Sequence, residues 1–336
     1  MYKAGKARSS PHPGVLVVRM GSMGDIIHAL PAVATLKHSF PGSRLSWVID
    51  PKWACLLDSN PFVDEVIHLD RRTLAGIKSA WRQLRSRRFQ LAVDFQGLFK
   101  SALVASAARA DRIYGFHQSQ ARERVAALFY STRVRAQSAH VVDRNLELAA
   151  AAGASAVLYA FPLPEGAPEG ELPQGDFVLA NPLAGWPGKQ WPLESYSLVA
   201  RLLRSKLGLP LVLNGPPRAA ALLASIGDAL VHVSGIPGLI HATRRARAVL
   251  GIDSGPMHLA AALDKPGVAV YGPTDPARNG PYGKSFVVLR DAGAVTTYKR
   301  TLEINPSMRA IPPEMVFEAL EDRIAGRGRC AGCSAR

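Results

Sequence analysis

Residues 15–32 read VLVVRMGSMGDIIHALPA, and this stretch decides the fold. The apolar run 15–18 predicts a buried strand, the segment around Gly21 and Gly24 predicts a tight loop, and the residues after it predict a helix. Glycines in such a loop let the backbone approach a ligand closely. The stretch therefore predicts the first βα unit of a parallel sheet, although the dinucleotide fingerprint G-x-G-x-x-G is absent.

The same alternation of strands and helices continues along the chain and then begins again near residue 177. Strands are predicted at 15–18, 45–49, 91–95, 112–114, 177–180, 211–213, 248–252 and 268–271. Helices are predicted near 26–38, 73–87, 97–108, 121–129, 193–206, 217–226, 237–245, 257–263 and 312–324. Segment 153–175 has four prolines and four glycines and no periodicity, which indicates an interdomain linker.

This pattern predicts an α/β fold of two Rossmann-like, doubly wound domains that face each other across a cleft. We predict a first domain over 1–165, a second over 166–311, and a C-terminal helix with a loose tail over 312–336. Ligands of such sheets bind beyond the carboxyl ends of the strands, so the loops there are the candidate sites.

Composition excludes several classes of protein. The 336 residues are 48% hydrophobic and 20% charged, which excludes a disordered chain, and the net charge of +15 lies mostly in the N-terminal half. The apolar runs are too short for a membrane span or a signal peptide. Three cysteines cannot form a disulfide framework, so we expect a cytoplasmic protein. Cys330 and Cys333 have metal-pair spacing without a second pair and are interpreted as part of the tail.

Asp25 is the first residue with two interpretations. It lies where the first predicted strand gives way to a helix, a position at which aspartate is a favoured N-cap. A carboxylate held beside a ligand-binding loop can equally take a proton from a hydroxyl as a general base. Spacing alone does not separate the two.

Three loops of the second half are suited to a phosphate or a polyol. Loop 181–192 is rich in Gly and Pro and offers backbone N–H groups and the ammonium of Lys189; its alternative is a surface turn. Loop 251–259 offers Asp253 for sugar hydroxyls and Ser254 for a phosphate oxygen, while a lone His258 is more often a packing residue. Thr274, in loop 271–276, could line the same pocket. Together they predict a nucleotide-sugar site.

A basic segment lies between residues 71 and 88 and contains no carboxylate. Its cations are Arg71, Arg72, Lys78, Arg82, Arg85, Arg87 and Arg88. A solvated helix face is the usual interpretation of such a segment. Because it has no acidic residues to pair with its cations, an anionic binding partner such as a membrane surface is favoured. Nucleic acid is the rival partner, and neither a binding motif nor neighbouring aromatic residues support it.

Six segments carry a resemblance to a known family. They read SMGDIIHALPA at 22–32, DFQGLFKSA at 94–102, ARE at 121–123 with LFY at 128–130, KQWP at 189–192, DSG at 253–255 with HL at 258–259, and YGPTDP at 271–276. In this order they resemble the lipopolysaccharide heptosyltransferases of glycosyltransferase family 9. The SMGD and QGL-x-KS segments are most similar to the heptosyltransferase I branch.

The resemblance implies a GT-B architecture with an acceptor-binding N-terminal domain and a donor-binding C-terminal domain. It implies inverting transfer of heptose from ADP-L-glycero-β-D-manno-heptose to a Kdo residue of lipid A, with no obligatory cofactor or metal. The implied catalytic residues are Asp25 as base and Lys189 at the leaving diphosphate. The donor-binding residues are Lys189, Asp253, Ser254, Gly255, His258 and Thr274. The acceptor-binding residues are Ser22, Gly24, Arg72, Gln96, Arg122 and Arg144.

The implied partners are the nucleotide sugar, the acidic glycolipid acceptor and the anionic inner face of the inner membrane, with the protein acting as a monomer and without nucleic acid. Asp25→Asn is expected to lower turnover and leave folding intact. The loop before Lys189 lacks the family's paired threonines, and segment 214–220 lacks its acidic residue near the ribose. Two alternatives therefore remain: a GT-B enzyme with another nucleotide sugar or an epimerase, and a noncatalytic binder of anionic membrane or nucleic acid.

Overall fold

A computed structural model describes residues 14–326, and the chain divides into two compact units between Pro162 and Leu163. The strands of the first unit are β1 Gly14–Val18, β2 Arg44–Ile49, β3 Glu65–His68, β4 Leu91–Asp94, β5 Arg112–Phe116 and β6 Thr132–Val134. Its α-helices are α1 Met23–Ser39, α2 Leu74–Arg85, α3 Phe99–Ala107 and α4 Val141–Ala151. Two 3₁₀ helices cover Pro51–Leu57 and Arg124–Phe129.

The first sheet is parallel throughout, in the order β3-β2-β1-β4-β5-β6. β1 lies in the middle and every one of its residues is buried, because helices cover both faces of such a sheet. The strand order reverses between β1 and β4. The loops that follow these two strands therefore diverge and leave a crevice for a ligand.

The second unit repeats this plan. Its strands are β7 Val178–Ala180, β8 Leu211–Gly215, β9 Leu230–Val233, β10 Ala248–Ile252, β11 Gly267–Tyr271 and β12 Phe286–Arg290. Its α-helices are α5 Leu193–Leu207, α6 Ala220–Ala224, α7 Ile236–Arg245, α8 Gly255–Ala262, α9 Pro276–Asn279, α10 Pro306–Arg309 and α11 Pro313–Ile324. Two 3₁₀ helices cover Pro187–Lys189 and Pro217–Ala219. The parallel sheet runs β12-β11-β10-β7-β8-β9, which places its reversal between β7 and β10.

The prediction of two doubly wound α/β sheets is confirmed, with differences in detail. The helix predicted at 121–129 is a 3₁₀ helix over Arg124–Phe129, and α4 was absent from the sequence prediction. Helix α11 buries Val316 and Leu320 in the core of the second unit, so it is an integral part of that unit. Cys330 and Cys333 lie outside the described residues.

The segment predicted as a linker has no regular secondary structure. From Leu163 onward it is hydrogen-bonded to the second unit. Arg244 donates hydrogen bonds to the carbonyl oxygens of Leu163 and Pro164, and Arg245 to those of Pro173 and Gln174. Over residues 14–326, no helix is both long enough and apolar enough to cross a lipid bilayer.

Candidate functional site

Both crevices hold residues that the sequence singled out. In the first unit, Asp25 follows β1 and Gln96 follows β4. In the second unit, Lys189 follows β7 and Asp253 follows β10. Each pair thus lies at the carboxyl ends of the two strands between which the order reverses, where open α/β sheets bind ligands.

The Asp25 carboxylate is held on both of its oxygens. Oδ1 lies 2.5 Å from Nη2 of Arg19 and 2.8 Å from Nη2 of Arg122. Oδ2 accepts hydrogen bonds from the backbone N–H of Ser22 at 3.0 Å and from its hydroxyl at 2.9 Å. Ser22 is the N-cap of α1, and Gly24 is buried in the first turn of that helix. Asp25 is therefore part of the helix cap, and both of its carboxylate oxygens have partners within the chain.

Arg19 is the residue of this site that sequence reasoning missed. Its side chain is only 3% exposed, and its Nη1 donates to the carbonyl oxygen of Phe95 while Nη2 contacts Asp25. The available signal was the position of Arg19, a cation directly after a buried central strand. In the sequence, however, Arg19 marks only the end of an apolar run. Because Arg19 is buried, Asp25 is its necessary counterion.

These neighbours set the ionisation of Asp25. Burial by itself would raise the pKa of the carboxyl, but the positive charges of Arg19 and Arg122 and the Ser22 N–H outweigh it. The pKa of Asp25 is therefore held well below its usual range. A carboxylate bound by two arginines is always charged at neutral pH and is a weak proton acceptor.

Gln96 and Asp94 stabilise the loop that precedes Asp25. The side-chain oxygen of Gln96 accepts the Met20 N–H at 2.8 Å. Asp94 is fully buried and accepts hydrogen bonds at 2.7 Å from the hydroxyls of Ser101 and Tyr130. Burial raises the pKa of Asp94, although the hydrogen bonds from Tyr130 and Ser101 act to lower it. The family-like segment 94–102 therefore has a clear structural role: it fixes the loop that precedes Asp25.

Of the three arginines predicted to bind the acceptor, the structure brings only Arg122 to Asp25. Arg122 is half exposed, whereas Arg19, the other partner of Asp25, is buried. Arg72 is exposed and pairs with Asp70 at 2.9 Å. Arg144, in the first half of α4, donates to the Ser138 carbonyl oxygen at 2.7 Å.

In the second unit, Lys189 and Asp253 form an ion pair. The Lys189 Nζ lies 2.8 Å from Oδ2 of Asp253, and the Asp253 Oδ1 accepts from the Asn279 amide at 3.2 Å. His258 lies with its Nε2 3.8 Å from the same oxygen. Asn279, at the end of α9, was not singled out from the sequence. Its position after β11, the strand next to β10, was the usable signal.

Two hydroxyls in the loops after β10 and β11 have no hydrogen-bond partner within the described part of the chain. They are Oγ of Ser254 and Oγ1 of Thr274, and both atoms are buried, as are the unpartnered hydroxyls of Tyr196 and Ser285 elsewhere. The loop hydroxyls can therefore serve as hydrogen-bond donors to a polar ligand. Ser254 also caps α8, whose first residue is Gly255, and free N–H groups at a helix N-terminus favour an anion. No three metal-ligating His, Cys, Asp or Glu side chains come together within residues 14–326.

The environment of Asp253 predicts how the stability of the protein depends on pH. Burial would raise its pKa, but His258 and Lys189 outweigh burial and hold the pKa well below the ordinary range. A lowered folded-state pKa stabilises the protein above the unfolded value of about 3.9, and this contribution is lost as the pH falls below it. We expect Asp253→Asn to lower the free energy of unfolding by about 3 kcal/mol at pH 7.

The difference between the unfolding free energies of wild type and this variant is expected to stay constant from pH 7 to about 5 and to narrow below about pH 4, measured by urea denaturation followed by circular dichroism. Asp58→Asn, at an exposed position, is the matched control and should change little at any of these pH values. A difference that does not narrow at low pH would contradict the role of the ion pair.

Comparisons with known proteins agree with this arrangement. A family model described as glycosyltransferase family 9 (heptosyltransferase) matches residues 77–306. The lipopolysaccharide heptosyltransferase 1 of Pseudomonas aeruginosa is 31% identical over 322 residues, which cover 87% of this chain and 88% of that protein.

Solved structures are similar over nearly the whole chain. The Escherichia coli heptosyltransferase WaaC with ADP has a TM-score of 0.74 and 26% identity, covering 92% of this chain and 99% of that one. The same protein with ADP-2-deoxy-2-fluoro heptose gives a TM-score of 0.72 with the same identity and coverage. The two WaaC structures hold ADP and a fluorinated ADP-heptose analogue, respectively.

Proposed function

The chain belongs to glycosyltransferase family 9, and on that premise we propose that it transfers heptose from ADP-L-glycero-β-D-manno-heptose to a Kdo residue of the lipopolysaccharide inner core. One observation carries the proposal. The family-like residues Asp25, Lys189 and Asp253 all fall at the two strand-order reversals, where ligands of this fold bind. The first unit supplies a carboxylate for the acceptor, and the second supplies a cation and hydroxyls for the donor.

Asp25 is the proposed base. The acceptor hydroxyl loses its proton to the carboxylate as its oxygen forms a bond to the anomeric carbon, and the bond from that carbon to the diphosphate oxygen breaks. The bond forms opposite the one that breaks, so the configuration inverts. ADP leaves with the electron pair of the broken bond. General-base assistance of this kind contributes about 10²- to 10⁴-fold in rate.

Asp25 cannot act as an effective base while both arginines hold it. Arg19 is buried and stays in place, whereas Arg122 is half exposed and can leave. The acceptor sugar carries its own carboxylate, and this group can take over the Arg122 guanidinium. Acceptor binding then raises the pKa of Asp25 when proton transfer is required.

The donor half relies on Lys189 and the N-terminus of α8. Lys189 already lies at this site in contact with Asp253, and a bound diphosphate offers its ammonium a second anion. The N–H groups at Gly255 and the unpaired hydroxyls of Ser254 and Thr274 are suited to phosphate or sugar oxygens. Both oxygens of Asp253 have partners, so heptose hydroxyls bind it by taking the place of the Asn279 amide or of Lys189. Charge on the leaving ADP is thus stabilised by groups of the chain itself.

A donor panel tests the proposed function. Purified protein is given ADP-heptose or other ADP-, GDP- and UDP-sugars, with and without Kdo-lipid A, in the presence and absence of EDTA. We expect product only with ADP-heptose and acceptor together, and no effect of EDTA. A different active donor would support the alternative transferase, and conversion of a sugar nucleotide without acceptor would support an epimerase. Either result would contradict the proposal.

The proposal includes the surroundings of the enzyme. Because the acceptor is anchored in a membrane by its acyl chains, the protein works as a peripheral enzyme at the cytoplasmic face of the inner membrane, as a monomer and without nucleic acid. The basic excess of the N-terminal half suits an anionic surface.

The proposed role of Arg122 can be tested by its effect on acceptor recognition. Arg122→Gln is expected to raise the KM for the acceptor about ten- to hundredfold, the effect of losing one charge-assisted hydrogen bond, and to leave the KM for the donor unchanged. The measurement compares two enzymes with two acceptors, one of which has the Kdo carboxylate reduced to an alcohol. Wild type should prefer the carboxylate, and the variant should not.

Arg124→Gln is the matched control because Arg124 is exposed, lies two residues away and has no contact with Asp25 among the described ion pairs. If Arg122→Gln retained the wild-type preference for the carboxylate, Arg122 would have no part in acceptor binding.

A further inference from the structure

One side of the first sheet presents an unusual surface. Helices α2 and α3 and the 3₁₀ helix Arg124–Phe129 lie on this side, where α3 contacts both of the others. Their inward residues form shared clusters: Ala80 and Leu84 pack with Ala105, and Ala102 packs with Ala126. We call the outward side of these three elements the α2–α3 face.

Helix α2 has an apolar flank that continues its buried face. Leu74, Ile77 and Trp81 follow the spacing i, i+3, i+7 and therefore form one stripe. This stripe lies beside the buried Ala80 and Leu84, and its exposed fraction rises from 40% at Ile77 and 49% at Trp81 to 77% at Leu74. Leu103 and Leu128 add exposed apolar groups on the neighbouring elements. Exposed apolar groups that lie together mark interaction surfaces.

Cations border this stripe. Arg71, Arg72 and Arg87 of the basic segment pair with Asp50, Asp70 and Glu65, contrary to the expectation from sequence, whereas Lys78, Arg82 and Arg85 have no ion pair among the described residues. Lys78 and Arg85 lie one helical turn before and after Trp81, and Arg82 lies further round the helix. The Arg85 guanidinium carbon is 5.4 Å from the centre of the Trp81 ring. None of the three elements contains an Asp or Glu. Glu123, next to the 3₁₀ helix, is tied to the backbone N–H of Phe99 at 2.6 Å. The face is thus apolar in its middle and positive at its margin.

The face also reaches the edge of the sheet that carries Asp25. Leu74 and Phe99 begin helices that follow β3 and β4, so both lie near the carboxyl ends of the strands. Arg122, which contacts Asp25, precedes the 3₁₀ helix by two residues. Asp25 and its partner Arg122 therefore lie beside one of the three elements of this face.

We propose that the α2–α3 face is the surface by which the protein docks on an anionic phospholipid bilayer. Leu74, Ile77 and Trp81 enter the boundary between headgroups and acyl chains, and Lys78, Arg82 and Arg85 contact lipid phosphates. The inference deepens the proposed function, since it rests on an acceptor that is anchored in a membrane. An aromatic and apolar stripe beside cations is the pattern of helices that lie in a membrane interface.

Vesicle binding of the full chain tests the docking surface without reference to catalysis. Flotation is measured with vesicles of phosphatidylcholine alone and with vesicles containing a quarter phosphatidylglycerol. We expect binding mainly to the anionic vesicles. Each cation near an anionic membrane contributes a factor of about five, so Arg82→Gln/Arg85→Gln should weaken this binding about thirtyfold. Ile77→Ser/Trp81→Ser should weaken it at least tenfold.

The matched controls are in the second unit. Arg204→Gln/Lys206→Gln removes two exposed cations of α5, and Leu222→Ser/Leu230→Ser removes two exposed apolar side chains. Both should bind vesicles as wild type does. Equal binding by the α2 variants and wild type, or no binding to anionic vesicles, would overturn the proposal. So would a loss of binding to duplex DNA in the α2 variants without a loss of vesicle binding, which would assign the face to nucleic acid.

Activity assays separate this inference from the proposed function. With a deacylated, water-soluble acceptor the α2 variants should retain wild-type turnover, while with the acceptor embedded in anionic vesicles they should lose at least about tenfold. If wild type binds vesicles through α2 but transfers heptose to neither acceptor, the docking surface stands and the proposed function fails. If the α2 variants use both acceptors as wild type does, the surface is not the docking site and the function stands.

Discussion

Asp25→Asn is expected to lower the turnover number at least about 10²-fold, because the amide cannot accept the proton of the acceptor hydroxyl. The sequence alone predicts that this variant folds normally. The structure adds a cost, since the buried Arg19 guanidinium loses its counterion. We therefore also expect the free energy of unfolding to fall by about 3 kcal/mol. Single-turnover kinetics and urea denaturation measure the two effects.

A double variant separates the two roles of Asp25. Arg19→Gln/Asp25→Asn removes both charges of the buried pair, so part of the stability should return while turnover stays low. Recovery of turnover in the double variant would mean that Asp25 acts only as a partner for Arg19. Near-wild-type turnover in the single variant would remove Asp25 as the base.

Lys189→Met is expected to produce the second large effect. Without the ammonium, charge that develops on the leaving diphosphate loses its nearest cation, and we expect kcat to fall about 10²- to 10³-fold. Lys189→Arg should retain part of the activity because the charge is kept. The readout is the split between kcat and the donor KM, supplemented by the Kd of ADP measured by calorimetry.

Lys206→Met is the matched control, because it makes the same substitution at an exposed lysine of α5. Its kinetics should match those of wild type. A Lys189→Met enzyme with unchanged kcat and a raised donor KM would show uniform binding of donor and transition state, which contradicts a role at the leaving group. Asp253 would then be the group that Lys189 serves, through the 2.8 Å ion pair between them.

The two sites share one electrostatic design. In each, a carboxylate at a strand end is held ionised in spite of burial: Asp25 by the charges of Arg19 and Arg122, and Asp253 by a hydrogen bond with His258 and the charge of Lys189. In the proposed mechanism one cation of each site meets a second anion, the acceptor carboxylate for Arg122 and the diphosphate for Lys189. On that proposal, substrate binding changes the charge around both carboxylates.

Local sequence was sufficient for the centre of each sheet and failed at its edges. The eight predicted strands are the eight interior strands, each with a run of apolar residues. The four that were missed, β3, β6, β9 and β12, are the four edge strands. β6 has only three residues, and every residue of β12 is half-buried. An edge strand has a partner on one side alone, so its sequence is less apolar and gives a weaker signal.

The segment 121–129 shows a different kind of failure. Its composition favours an α-helix, but the backbone forms i to i+3 hydrogen bonds from Ala126 to Glu123 and from Tyr130 to Ala127. The Tyr130 hydroxyl is bonded to the buried Asp94. This long-range contact fixes the end of the segment, and local propensity does not decide its geometry.

The sequence by itself determined the two-sheet α/β class, the interior strands, and the loops in which Asp25, Lys189 and Asp253 lie. Only the tertiary structure decided which side chains meet: Arg19 and Arg122 at Asp25, and Lys189 and Asn279 at Asp253. Residues 25 and 122 are far apart in the chain and adjacent in space because strands β1 and β4 are neighbours, with β5 beside β4. Chain spacing specifies a residue's element, whereas its charge partner depends on the order in which the strands assemble.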